Sequence, residues 1–298
     1  MGYFRRHFLA TPWHLIRLFI PLTALAPFAV YTHTLFPRVY PGTTAFLTAA
    51  SAGLCETNDL MNPLFRLVAR CVADLPYGTL TGRLNLLCAV CGAFAVALFY
   101  LFAARLVFVF AFEDPGGAMA ALPPRLRETD DDSRSKEDAS FALNPDGSVS
   151  IPPSVLAHNW RVAYAAVFGG LAAATVLAFC APFWLAATRL YPYTFDLALL
   201  FLILNLLLSY DQQERLLSLF SCTFLMAVCM LESPLFMVLL PVGGLFLLRS
   251  LRLNEQATTY RVLGMLLVGL AGAIVAVSVL WDASRYCSAV AIPSPRTI

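Results

Sequence analysis

The chain has 298 residues, of which 59% are hydrophobic and 13% charged. Soluble domains lie nearer about 45–50% apolar and about 25% charged, so an ordinary soluble domain is excluded and an integral membrane protein indicated. Twenty basic and 18 acidic residues leave a net charge of +2, which is too weak a basic field for a nucleic-acid partner.

A helix needs about 20 apolar residues to cross a hydrocarbon core of about 30 Å. The first such stretch runs from Pro12 to Thr32 behind Arg5 and Arg6. Its basic start and its alanines Ala24, Ala26 and Ala29 also resemble a signal peptide. Arg17, Pro21 and Pro27 interrupt the apolar run, however, and favour an uncleaved anchor. Leu84 to Phe112 is the strongest span, with Arg105 as its only charge; Arg161 to Thr188 is the third and Val262 to Trp281 the last. Between these lie Phe195–Ser209, Leu216–Leu231 and Pro234–Leu248, each about 15 residues and at the short limit for crossing. The polar stretch Tyr210-Asp211-Gln212-Gln213-Glu214-Arg215 reads as a turn that lipid rejects. Glu232-Ser233-Pro234 reads as a minimal connector, since proline ends one helix and can open the next. The expectation is an all-α polytopic transmembrane bundle of about seven spans.

Basic residues concentrate in loops on the cytoplasmic side of a membrane. With the N-terminus inside, 13 of the 20 basic residues fall inside, and 7 (Arg38, Arg66, Arg70, Arg83, Arg189, Arg285 and Arg296) fall outside. The organisation expected is therefore an inner N-terminus with the first span (1–32), an outer loop (33–83), and the second span (84–112). A cytoplasmic insertion (113–159), five further spans (160–281) and an outer tail (282–298) follow. The insertion holds Pro115-Gly116-Gly117, Pro123-Pro124 and the acidic run around Asp130-Asp131-Asp132. That composition cannot bury a core and reads as a disordered linker. Clustered carboxylates suit hard cations, but a solvated acidic linker is the simpler reading and no metal or other cofactor is expected.

The eight cysteines are scattered. Cys88 and Cys91 form a C-x-x-C inside an apolar span, where small residues serve helix packing. Cys55, Cys71 and Cys287 lie on the outer side, enough for one disulfide that spacing alone does not pair.

The outer loop is the informative segment. It carries Pro41-Gly42-Thr43-Thr44-Ala45-Phe46, then Asn62-Pro63-Leu64-Phe65, then Leu75-Pro76-Tyr77-Gly78 and Arg83-Leu84-Asn85. Arg66 and Arg70 stand four apart on one face of an amphipathic stretch, as in a helix lying on a membrane surface. With Phe183-Trp184-Leu185-Ala186-Ala187-Thr188-Arg189, Tyr193-Thr194-Phe195-Asp196 and Leu231-Glu232-Ser233-Pro234, these blocks resemble the bacterial family of protein O-mannosyltransferase-like membrane proteins. The likeness covers residues 12 to about 250 apart from the insertion, through order and spacing and not through any single motif. It implies the GT-C glycosyltransferase architecture with surface helices in the first outer loop, and location in the bacterial inner membrane. It also implies sugar transfer from a polyprenyl-phosphate donor at the outer face.

The family's first outer loop carries an Asp-Ser-Gly-Glu-like element and a His-Pro-Pro-like element. Here Thr43-Thr44-Ala45-Phe46 and Asn62-Pro63 stand in their places. Inverting transfer needs a carboxylate to take the acceptor's proton. The outer acids are Glu56, Asp59, Asp74, Asp196, Glu232 and Asp282. Glu56 and Asp59 are the nearest replacements, and Glu232 at a membrane-level turn is the next. Asn62, Arg66, Arg70, Trp184, Arg189 and Tyr191 are the candidate substrate contacts, the arginines for a lipid phosphate. Surface-helix and aromatic-belt anchoring predicts the same residue types. The alternative function is a non-catalytic relative that binds a lipid-linked glycan or serves a cell-envelope assembly. Transport lacks support, because no span carries paired charges at mid-depth and no inverted repeat is visible.

The orientation is testable by membrane-impermeant thiol labelling of single-cysteine variants. Thr57→Cys is expected to label from outside and Ser135→Cys to be protected; the reverse pattern overturns the assignment.

Overall fold

The computed structural model describes residues 13–52, 62–76, 78–113, 153–213, 216–233, 236–238, 241, 243–245 and 259–289. Among these residues there is no strand. The helices in chain order are α1 (Trp13–His33), α2 (Thr43–Ser51), α3 (Pro63–Ala73), α4 (Leu80–Glu113) and α5 (Pro153–Phe179), followed by α6 (Ala181–Ala187), α7 (Tyr193–Gln213), α8 (Leu216–Cys229) and α9 (Thr259–Ala289). Five of them, α1, α4, α5, α7 and α9, are long and apolar enough to cross a membrane, which fits an integral membrane protein.

Helix positions follow the apolar runs, with instructive departures. The expected third span, Arg161–Thr188, is two helices separated at Cys180, which is extended with φ −67° and ψ 135°. Pro182 follows in the first turn of α6, where its missing N–H costs no helical bond. α5 also begins at Pro153, inside the segment expected to be insertion. α7 runs on through Asp211-Gln212-Gln213, so the polar stretch expected to be a turn belongs in part to a helix. α8, with 14 residues, covers only about 21 Å at 1.5 Å per residue, short of a full crossing. Of the expected sixth span, Phe236–Val238 is helical, and most of the rest lies outside the described residues. Residues 114–152 of the insertion also lie outside them.

α4 is the hub, packing against α1, α3, α5, α6 and α7; α7 then leads to α8, which packs along α9. Polar side chains tie the apolar helices together. Tyr100 donates to the Ile16 carbonyl at 3.1 Å and Tyr31 to the Ala178 carbonyl at 2.8 Å, joining α1 to α4 and α5. Arg105 on α4 donates to the Asn205 carbonyl at 3.0 Å and the Ser209 hydroxyl at 2.5 Å. Asn205 donates back to the Leu98 carbonyl at 2.9 Å. Such ties replace the hydrophobic driving force that lipid removes between helices. α1, α4, α5, α7 and α8 alternate in direction, whereas α9 runs parallel to α8, with Gly264 against Phe220 and Gly272 against Phe224. One end of the bundle, the loop end, gathers His33, Leu80, Phe179, Tyr193 and Cys229 with α2 and α3.

Outward faces stay apolar. Leu18 and Leu22 on α1, Phe168 and Val176 on α5, and Leu266, Leu270 and Ile274 on α9 are more than half exposed, as lipid-facing side chains should be. The α8–α9 seam is made by small residues. A Cβ placed on Gly272 would lie 2.7 Å from the Phe224 carbonyl oxygen, and one on Gly264 2.9 Å from the Phe220 ring. Gly272→Ala is expected to lower unfolding stability in detergent by about 1–3 kcal/mol through overpacking. Gly244→Ala, where a Cβ meets nothing within 4 Å, is expected to be neutral or to stabilise by up to about 1 kcal/mol. Equal effects of the two would show that the seam is not close-packed.

Candidate functional site

The site is built around the start of α3. Asn62 is the one non-glycine residue with positive φ among the described residues, at φ 57° and ψ 51°. The proline after it disfavours right-handed helical geometry at residue 62, and asparagine is among the few side chains that tolerate the left-handed region. Pro63 then opens the helix without an N–H to satisfy. Leu64 and Phe65 are thus the first free amides of the helix. Both donate to Glu232: Leu64 N to Oε2 at 2.7 Å and Phe65 N to Oε1 at 2.9 Å. The Asn62 amide adds a third contact, donating to the Glu232 carbonyl at 3.1 Å. A carboxylate across two helix-start amides is the favourable arrangement for charge and hydrogen bonding together. The cap is supplied from 168 residues away.

Glu232 is fully buried, in the turn that follows α8. Burial pushes its carboxyl up to about 7, against the Phe65 and Leu64 amides and the Arg66 guanidinium, which hold it down. Asp196, in the first turn of α7, is 4% exposed and lies within electrostatic range of Glu232. Its Oδ1 has no hydrogen-bond partner. Cys229 feels both carboxyls. Beneath α3, Phe65 and Ala69 pack with Leu84, Cys88 and Leu190, and the Phe65 ring meets Phe195 at 5.8 Å. α3 is thereby seated on the starts of α4 and α7.

The other candidate contacts gather at the corner between α6 and α7, at the same end. The Arg189 guanidinium sits over the Tyr40 ring at 3.6 Å and near the Phe36 ring at 5.8 Å, a cation–π arrangement. Trp184 Nε1 donates to Thr34 Oγ1 at 3.2 Å. Tyr191 packs ring to ring with Tyr193 at 4.8 Å, and its amide donates to the Cys88 sulfur at 3.4 Å. Asn85 Nδ2 donates to the Phe36 carbonyl at 2.8 Å. The segment after α1 is therefore strapped down by side chains of α4 and α6.

Of the residues singled out from sequence, the structure brings Asn62, Arg66 and Glu232 together, with Arg70 one turn on and exposed. It brings Trp184, Arg189 and Tyr191 together separately, linked to the first group through Leu190. Glu56 and Asp59 lie outside the described residues. Glu232 serves α3 as a cap with both oxygens engaged, which is a different task from accepting an acceptor's proton. Asp196 and Tyr40 were not singled out as site residues. An acid opening a long apolar run was the available signal for Asp196. Nothing in the sequence marked Tyr40 as the partner of Arg189.

Among the described residues no group of three His, Cys, Asp or Glu side chains is placed to hold a metal ion. No protein-family model matches the chain, and no solved structure matches it.

Glu232→Ala is expected to leave the part-buried Leu64 amide and the buried Phe65 amide without acceptors and to cost about 1.5–3 kcal/mol of unfolding stability. Glu232→Gln, which keeps one acceptor oxygen, should cost less. Chemical denaturation in detergent micelles measures both; an unchanged stability for Glu232→Ala would show that α3 is held by apolar packing alone.

Proposed function

We propose that this protein binds a phosphate-linked lipid, of the polyprenyl-phosphate sugar class, at the loop end of its bundle, as a non-catalytic member of a GT-C-like membrane group. The observation that carries the reading is α3 itself. It is an amphipathic helix locked in place by Glu232, with Arg70 exposed and Leu67 48% exposed beside it. A lipid phosphate meets a guanidinium through strong charge-assisted hydrogen bonds, while an exposed leucine suits the acyl boundary. Arg66, half-buried beside Glu232, positions the helix. Arg189 is engaged with Tyr40 and serves the corner. Binding is favoured over transfer because Glu232 is occupied as a cap. The resemblance of the outer-loop blocks supports the lipid class, with the N-terminus inside and a bacterial inner membrane as its setting.

A second reading, transfer of the sugar with Glu56 or Asp59 as base, is favoured by one observation. These two acids stand three residues apart, between the sequences of α2 and α3.

The test is titration of a polyprenyl monophosphate and a labelled polyprenyl-phosphate sugar into the full chain in lipid nanodiscs. Saturable binding is expected, weakened about tenfold or more by Arg70→Gln, with no turnover of the labelled donor. Turnover abolished by Glu56→Gln or Asp59→Asn establishes the second reading. Absence of saturable binding overturns both.

A further inference from the structure

We propose that the seam between α1 and α5 opens, at the end of the bundle opposite the loop end, into a cleft that holds an anionic glycerophospholipid. Its phosphate lies on Arg17 and Arg161, and an acyl chain runs along the aromatic side chains of α5. The argument starts where the seam is closed. Tyr31 of α1 donates to the Ala178 carbonyl of α5 at 2.8 Å, and both residues are buried. At 3.6 residues per turn, Arg17 stands about four turns before Tyr31 on the same side of α1. Trp160 stands about five turns before Ala178 on the same side of α5.

The two facing stripes lose their cover as they leave the loop end. On α1, Tyr31 and Pro27 are buried, Ala24 and Ile20 are half-buried, and Arg17 is exposed. On α5, Ala178, Ala174 and Val167 are buried, whereas Tyr164 and Trp160 are exposed. The uncovered side of α5 carries a ladder of rings, one per turn. Trp160 and Tyr164 meet at 5.9 Å, and Tyr164 and Phe168 at 6.5 Å. Phe168, the innermost rung, is 66% exposed, so the ladder leads from the membrane boundary into the apolar layer.

Charge decides which lipid fits. Arg17 is the third residue of the apolar stretch Leu15–His33 and Arg161 the second of Trp160–Phe179. Both therefore stand just inside the membrane boundary, where a long side chain reaches lipid phosphates and dissolved phosphate does not enter. Both are exposed, and neither makes a hydrogen bond or ion pair with a described residue. The acids with described side chains, Asp74, Asp196 and Glu232, all belong to the loop end. α7, whose last turn holds Asp211, packs on α4, α6 and α8, away from the cleft. Arg105 is turned to α7 through Asn205 and Ser209 and brings no negative charge. A zwitterionic headgroup carries its own cation and would leave the two guanidiniums uncompensated. An anionic headgroup meets them through charge-assisted hydrogen bonds.

The cleft lies at the other end of the bundle from α3 and its test uses no polyprenyl lipid, so its result and that of the proposed function are independent. The full chain is placed in phosphatidylcholine nanodiscs with a trace of phosphatidylglycerol that carries a photoactivatable group in its acyl chain, and adducts are mapped by mass spectrometry. Adducts are expected on α1 and on α5 around Tyr164 and Phe168. Unlabelled phosphatidylglycerol should displace them, and added phosphatidylcholine or inorganic phosphate should not. Apparent affinity in this competition is expected to fall about fivefold for Arg17→Gln or Arg161→Gln and about thirtyfold for the two together. Arg38→Gln, at an exposed arginine of the loop end, should leave it unchanged. Adducts spread evenly over all lipid-facing helices, equal displacement by phosphatidylcholine, or a double variant that binds as the unaltered chain does overturns the proposal. Displacement by inorganic phosphate overturns the lipid as occupant. Should the double variant fail to fold, the adduct map and the competition in the unaltered chain decide.

Discussion

The loop end depends on one interaction, a buried glutamate spanning two amides at the start of a short helix. Without Glu232, the first amides of α3 would face an apolar surface with no acceptor, a cost no apolar contact of Phe65 or Ala69 removes. With it, α3 becomes a fixed lid over Leu84, Cys88 and Leu190. Asn62 and Pro63 prepare the helix start, one by accepting left-handed geometry and the other by bringing no N–H of its own. The same contact joins the α8 turn to the outer-loop segment, 168 residues away in the chain.

Elsewhere the bundle is held by the same economy of polar groups. Each tie between long helices uses a side-chain donor and a carbonyl or hydroxyl that a neighbouring helix offers: Tyr31 to Ala178, Tyr100 to Ile16, and Arg105 to Asn205 and Ser209. Glycines and alanines set the spacing. Gly170 leaves room for the Tyr100 ring, and Gly92 for Ala187 and Tyr31. The exposed large apolar side chains are mostly leucine, valine and phenylalanine, which lipid solvates and water does not.

Span positions were legible because hydropathy is local: α1, α4, α7 and α9 lie within a few residues of the expected stretches. The break at Cys180 was hidden because Ala, Phe, Trp and Leu continue the apolar run past it, and Pro182 alone marks the step. The extension of α7 through Asp211 was hidden for the converse reason, since polar residues can close a helix whose end reaches water. The candidate site divides the same way. An ionisable residue at a membrane-level turn drew attention to Glu232, but periodicity carries no information about a partner 168 residues away. Arg189 read as a phosphate ligand or an interfacial anchor. Its seat over Tyr40 is a tertiary contact that neither reading contained.

That separation also orders the events of biosynthesis. The segment that becomes α3 leaves the ribosome long before the residue that caps it. At about 5–20 residues per second the wait is on the order of 10–30 s. In that interval α4, α5, α6, α7 and α8 are made, and the amides at positions 64 and 65 wait for their acceptor. The loop end consequently closes only after the helices beneath it have been made, with α9 still to follow.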